Sequence, residues 1–168
     1  MKSSPSVDNA AAHGPGVAVA GAISFFADHG MAIALAAMFD VIRSKRTFAQ
    51  ACARLAAIGI PVIVATALAK RIVSRPRPIG SEEVPWLARV PTSSSFPSGH
   101  TLAAATAAVA IPATPTGFLL AGANVFSVGW SRLRLGAHHR SDVLGGVLLG
   151  AILGLALRPV LRFIDGNI

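Results

Sequence analysis

Apolar residues in this chain fall in long runs, and short polar groups separate one run from the next. The first run, Val17 to Ile42, is broken by Asp28-His29-Gly30. An unpaired Asp in hydrocarbon is expensive, so the pattern reads as a short interfacial helix followed by a span from about Met31. Arg43, Lys45 and Arg46 close that unit, and a second span runs from Phe48 to Ala69 with a kink expected at Pro61. A third begins near Ser98 and fades at Pro112 and Pro115; a fourth runs from Gly117 to Trp130 and a fifth from Asp142 to Leu157. Ile79 to Phe96 is the one long polar connection, with Glu82, Glu83, Pro85, Pro91 and the run Ser93-Ser94-Ser95. Several apolar cores are nearer to about 15 residues than to the roughly 20 a full span needs. Flanking polar residues must then continue the helices. The expected fold is all-α: a polytopic membrane helix bundle of about five spans plus an N-terminal interfacial helix. Residues 1–14, rich in Ser, Ala, Gly and Pro, read as a disordered tail, and 15–168 as a single membrane-embedded domain.

Composition sharpens this picture. Hydrophobic residues make up 53% and charged residues 13% of the chain, which points to apolar surroundings outside the protein as well as inside. The formal charge is +8, yet the basic residues sit between apolar runs and form no polar face. That excludes a nucleic-acid partner and favours lipid headgroups or a phosphate substrate. A single cysteine, Cys52, permits no internal disulfide and no multi-thiolate metal site. Lys2, the apolar run from Val17 and Ala20-Gly21-Ala22 resemble parts of a secretory signal, but the long polar lead argues against one.

Three polar clusters carry candidate chemistry. They are Lys70 with Arg77-Pro78, then Pro97-Ser98-Gly99-His100, then Ser131-Arg132 with His138 and Asp142. The second span ends at Lys70 and the third begins at Ser98, while the fourth ends at Ser131-Arg132 and the fifth begins at Asp142. Short antiparallel connections therefore bring all three to one membrane face. Lys70 and Arg77 suit phosphate oxygens, Arg by paired donors and Lys as a point charge. Ser98-Gly99 opens a helix whose free N–H groups favour an anion, with Gly99 allowing close approach. His100 would protonate a leaving alkoxide. His138 and Asp142 are four apart, so the carboxylate is expected on one ring nitrogen, leaving the other to attack.

Each piece taken singly has a plainer explanation. Lys70, Arg71, Arg75 and Arg77 fit a basic cluster that stops a span, and Arg132 fits the same role. Pro-Ser-Gly-His is commonly a turn and cap, and Asp142 sits where a helix cap is wanted. Spacing alone selects His138 over His139. Trp86 and Trp130 fit interfacial anchors. Gly146, Gly150 and Gly154 form a small-residue stripe for close helix packing or for a homodimer seam.

The clusters together resemble the signature of the type 2 phosphatidic-acid phosphatases: Lys-x6-Arg-Pro, Pro-Ser-Gly-His and Ser-Arg-x5-His-x3-Asp. All three occur without substitution between residues 70 and 142. The resemblance implies a phosphatase needing neither metal nor cofactor and passing through a phosphohistidine. His138 would attack phosphorus, Asp142 would hold and polarise it, and His100 would act as general acid. Lys70, Arg77, Ser98, Gly99 and Arg132 would hold the phosphate oxygens. The chain is short for the family's membrane members, which favours a homodimer or a cleft open to the bilayer.

Within the family's range the substrate expected is a lipid phosphate, first a polyprenyl-linked one such as decaprenylphosphoryl-5-phosphoribose, with phosphatidic acid or phosphatidylglycerol phosphate as the alternative. The Ala- and Arg-rich composition looks bacterial and implies a multi-pass inner-membrane protein. Arg43, Lys45, Arg46, Arg54, Arg158 and Arg162 lie opposite the site, which favours an extracytoplasmic site. A non-catalytic scaffold binding anionic lipid explains the charge but not the converging histidines and acid. A vanadate-dependent haloperoxidase has a similar pocket, but those enzymes are soluble.

Overall fold

The computed structural model describes residues 15–28, 47–78, 93–111 and 114–167. The tail 1–14, the span expected from Met31 with Arg43, Lys45 and Arg46, and Trp86 in the 79–92 connection lie outside these residues. The described chain forms α1 (Pro15–Asp28), α2 (Phe48–Ile72), α3 (Gly99–Ala110), α4 (Pro115–Arg134) and α5 (Arg140–Asn167), with no strand among the described residues.

Local chemistry sets the helix ends. Thr47 and Gln50 open α2 with reciprocal bonds: the Thr47 hydroxyl accepts the Gln50 N–H at 3.2 Å, and the Gln50 side-chain oxygen accepts the Thr47 N–H at 2.9 Å. Thr114 caps α4 by accepting the Gly117 N–H at 3.2 Å, with Pro115 in the first position, where its missing N–H costs nothing.

Among the described residues, α2 and α5 are long and apolar enough to cross a membrane: the 25 residues of α2 and the 27 of Arg140–Gly166 in α5, each with mean hydropathy 2.0. The expectation of about five spans is only partly met. α3 has 12 residues, rising about 18 Å against a hydrocarbon core of about 30 Å. α4 has 20 residues but carries Asn124, Ser127, Ser131, Arg132 and Arg134. On α2 and α5, Ile60, Ile63, Leu68, Leu144, Leu148 and Ile152 all lie exposed, as lipid-facing side chains do.

α3 is the central element. Leu102 is fully buried, in a core with Ile58 and Val62 of α2 and Leu157, Leu161 and Ile164 of α5. The glycine stripe of α5 makes this possible. A Cβ on Gly146 would meet the Ser98 carbonyl at 2.7 Å, and one on Gly154 the Thr106 carbonyl at 2.8 Å. A Cβ on Gly150 would meet the Leu102 carbonyl and, at 2.8 Å, the Ala105 methyl. The stripe is therefore filled by α3 of the same chain and is not free to form a homodimer seam.

α1 packs Val17 and Ala20 against Leu135, with Trp130 partly buried beside them. Trp130 thus packs on a helix, where the sequence pattern suggested a headgroup anchor. Far from the three clusters, Arg54 of α2 is 4% exposed and donates to both carboxylate oxygens of Asp165 at 2.7 and 2.8 Å. Arg54 is therefore not a surface charge facing headgroups, and the charge argument for sidedness loses it.

Gly150→Ala should lower the melting temperature in detergent through overpacking, at a cost of about 1–3 kcal/mol. Gly122→Ala, with nothing within 4 Å of the new methyl, should leave it unchanged or slightly raised. Thermal unfolding of the two variants side by side checks the contrast.

Candidate active site

The nucleophile candidate is placed by the way α4 ends. The Ala137 N–H returns to the Arg132 carbonyl and the Gly136 N–H to the Leu133 carbonyl, both at 3.0 Å. This pair of bonds terminates a helix through a left-handed residue, and Gly136 supplies it at φ 63°. The chain turns sharply and starts α5 almost at once. Asp142, in the first turn of α5, reaches back to accept the His139 N–H on Oδ2 at 2.8 Å. It thereby satisfies a helix-start donor from the position where an acidic side chain also suits the helix dipole. The His139 ring Nδ1 lies 3.2 Å from the same oxygen.

His138 sits between these two helix ends, 5% exposed. Its Nδ1 is 2.7 Å from the Ser95 backbone carbonyl. A carbonyl only accepts, so Nδ1 carries the proton and Nε2 keeps its lone pair. Nε2 faces Arg77 Nη1 at 3.4 Å. The carboxylate expected on this ring is elsewhere: Asp142 Oδ2 stands 3.7 Å from Nδ1, beyond hydrogen-bond reach. Asp142 attracts the ring through space while Ser95 orients it. Burial pushes the His138 pKa down to about 4; the Arg77 and Lys70 charges act the same way, against the Ser95 carbonyl and Asp142. At neutral pH the ring is a neutral base with one bare nitrogen.

The cations reach this ring along an extended segment. Arg75 precedes Pro76 and Arg77 precedes Pro78, and a following proline drives each into extended backbone. Side chains two apart on such a segment share a side, so both arginines face the start of α5. Arg77 donates to the Ala137 carbonyl at 2.9 Å, and to the Ser93 carbonyl and hydroxyl at 3.3 Å each. Burial pulls its pKa below the ordinary value; Asp142 opposes this, and Arg132 adds to it as a nearby like charge. Lys70 donates to the Ser93 hydroxyl at 3.2 Å. Arg132 is 3% exposed, and one of its nitrogens donates to the Ser24 carbonyl of α1 at 3.3 Å.

The serine run, read in the sequence only as polar connection, holds this segment in place. The Ser95 N–H donates to the Arg75 carbonyl at 2.9 Å and its hydroxyl to the Pro76 carbonyl at 3.0 Å. The Ser94 hydroxyl accepts the Arg75 N–H at 3.1 Å and donates to the Val73 carbonyl. Arg75, grouped in the sequence with stop-transfer cations, donates from Nη1 to Asp142 Oδ1 at 2.8 Å and to the Ser141 hydroxyl at 2.6 Å. The Arg-Pro-Arg-Pro repeat was the available signal for it.

The second cluster packs against α2 and α5. Ser98 is fully buried, its hydroxyl 2.9 Å from that of Thr101, and its N–H donates to the Asp142 carbonyl at 3.0 Å. A Cβ on Gly99 would meet Thr66 Cγ2 at 3.1 Å, so this glycine admits α2. Both residues thus also fix how α3 packs. His100 is half-buried in the first turn of α3, the turn that Ser98 ties to α5.

A family model described as the PAP2 superfamily matches residues 50–164, a range that holds all three clusters. The chain belongs to the PAP2 superfamily. Similar proteins include the decaprenylphosphoryl-5-phosphoribose phosphatases of two strains of Mycobacterium tuberculosis. Each is 34% identical over 164 residues, covering 92% of this chain and 86% of the relative. No solved structure matches the chain. As a PAP2 protein with membrane-length apolar helices, the chain is a phosphatase, and its family implies a lipid phosphate as substrate.

Nitrogen NMR of histidine-labelled protein at neutral pH should show His138 protonated on Nδ1 and bare on Nε2. The opposite tautomer would remove the Ser95 carbonyl as the group that orients the ring.

Proposed function

We propose that the chain hydrolyses a phosphomonoester on a polyprenyl-linked membrane lipid through a phosphohistidine on His138. The observation that carries this reading is the His138 ring itself: buried, proton-bearing on Nδ1 toward Ser95, and bare on Nε2 toward Arg77. Nε2 attacks phosphorus while the bond to the lipid oxygen breaks. Arg77, Lys70 and Arg132 neutralise the charge on the transferring oxygens, which is where most of the rate of phosphoryl transfer arises. His100 gives its proton to the leaving oxygen. Water then attacks phosphorus, giving its proton to His100 as the P–Nε2 bond breaks, which releases phosphate and restores the neutral His138 ring. No metal takes part in these steps.

Asp142 serves the reaction by holding the loop and countering the positive charge that develops on His138. The named substrate of the mycobacterial relatives puts decaprenylphosphoryl-5-phosphoribose first among candidate lipids. α2 and α5 support a tail held in the bilayer beside the site. A multi-pass inner-membrane protein with an extracytoplasmic site remains our reading of the location.

Phosphate release in EDTA from phosphoribosyl-polyprenyl, polyprenyl and glycerol lipid phosphates tests the reaction and its substrate together. His138→Ala should lose roughly a thousandfold or more in turnover. Release that survives in this variant would sink the nucleophile assignment. Preference for phosphatidic acid or phosphatidylglycerol phosphate would replace the polyprenyl substrate while keeping the chemistry.

The pH dependence follows from the same ring. A folded pKa of about 4 leaves the nucleophile unprotonated above that pH and lost to protonation below it. After correction for the substrate's own ionisation near about pH 6, kcat/KM should hold to pH 5 and fall only toward about pH 4. An acid limb near about 6.5, the value of an unperturbed imidazole, would contradict the buried ring.

A further inference from the structure

Asp142 is completely buried, and each of its carboxylate oxygens has its own work. Oδ2 takes the His139 N–H at 2.8 Å, the peptide directly after the candidate nucleophile. Oδ1 takes Arg75 Nη1 at 2.8 Å. Neither oxygen reaches the His138 ring, since the nearer stands at 3.7 Å. Asp142 therefore acts on His138 through the groups around it, chiefly the His139 N–H of the 138–139 loop and the Ser95 side chain, and that depends on the carboxylate being held from its other side.

Arg75 is the group that does so. A stop-transfer cation has a mobile side chain among headgroups, whereas Arg75 is fixed at three points. The Ser94 hydroxyl accepts its N–H, the Ser95 N–H donates to its carbonyl, and its Nη1 bridges Asp142 to the Ser141 hydroxyl. Removing it would leave a buried carboxylate short of a charged donor, which is costly. The carboxylate would then turn toward other cations, and the loop would lose its register.

We infer that Arg75 is a positioning residue of the phosphatase: by engaging Oδ1 of Asp142 it keeps Oδ2 on the His139 N–H and so fixes the loop that presents His138. This rests on the reading of His138 as nucleophile. The Arg75 side chain reaches Asp142 and Ser141, not the His138 ring. Its effect falls on turnover and runs through Asp142.

A double-mutant cycle on the full chain tests the assignment, using Arg75→Gln, Asp142→Asn and the pair, with kcat and KM for the lipid phosphate and melting temperature for each. Arg75→Gln should lower kcat at least tenfold while KM changes less than about twofold. The pair should be no worse than Asp142→Asn alone within about threefold, because both act on one loop. Losses that multiply would overturn the inference, as would Arg75→Gln within twofold of the wild type. A tenfold rise in KM at constant kcat would make Arg75 a phosphate ligand and also overturn it. If Arg75→Gln does not fold, Arg75→Lys carries the same cycle with a smaller expected loss. If the wild type releases no phosphate, the function reading fails; non-additive melting temperatures would still support the Arg75–Asp142 coupling, and additive ones would refute it.

Discussion

One buried carboxylate joins every part of the site. Asp142 binds Arg75 from the segment after α2 and the His139 N–H from the loop after α4, and its own backbone carbonyl takes the Ser98 N–H at the start of α3. Four helices are thus referenced to a single residue in the first turn of α5. In a site with little water these bonds are strong when made and expensive when lost, so the arrangement is held or abandoned as a unit. The chemistry depends on that rigidity, since phosphoryl transfer is governed by placing a nucleophile and cations around a group that supplies its own reactivity.

Backbone atoms perform much of the placement. The Ser95 carbonyl sets the His138 tautomer, the Ala137 carbonyl accepts Arg77, and serine hydroxyls hold the carbonyls of the arginine-bearing segment. Cationic side chains would repel one another if left to themselves; a fixed segment confines them to one side of the ring. The same crowding, added to burial, keeps the His138 ring neutral.

Much of this was legible in the sequence, and the gaps have physical causes. The three clusters and their shared face followed from helix direction and loop length, as did the start of α2 and, within two residues, that of α5. The end of α5 did not: the helix runs on to Asn167, ten residues past the expected Leu157, where Arg158, Pro159 and Arg162 looked like a stop. The length of α3 was less legible: apolarity marks burial in protein and in lipid alike, and the flanking polar residues expected to lengthen this helix lie outside its 12 residues. The partner of His138 was misread because i,i+4 spacing names a side-chain neighbour, whereas a backbone carbonyl from residue 95 leaves no signature. Arg75 was passed over since a basic residue after an apolar helix is ordinary. The packing contacts of Ser98 and Gly99 with Thr101, Thr66 and α5 were not legible, since a motif carries no information on which neighbouring helices meet it.

The two ion pairs of α2 and α5 have a mechanical meaning. Arg54 grips Asp165 near one end of these antiparallel helices, and Arg75 grips Asp142 at the other. A beam clasped at both ends can neither slide nor pivot, and α3, pressed glycine-close against α5, is a fixed web within it. Drawing α2 away from α5 would have to break both clasps at once, so the two helices resist separation as one body.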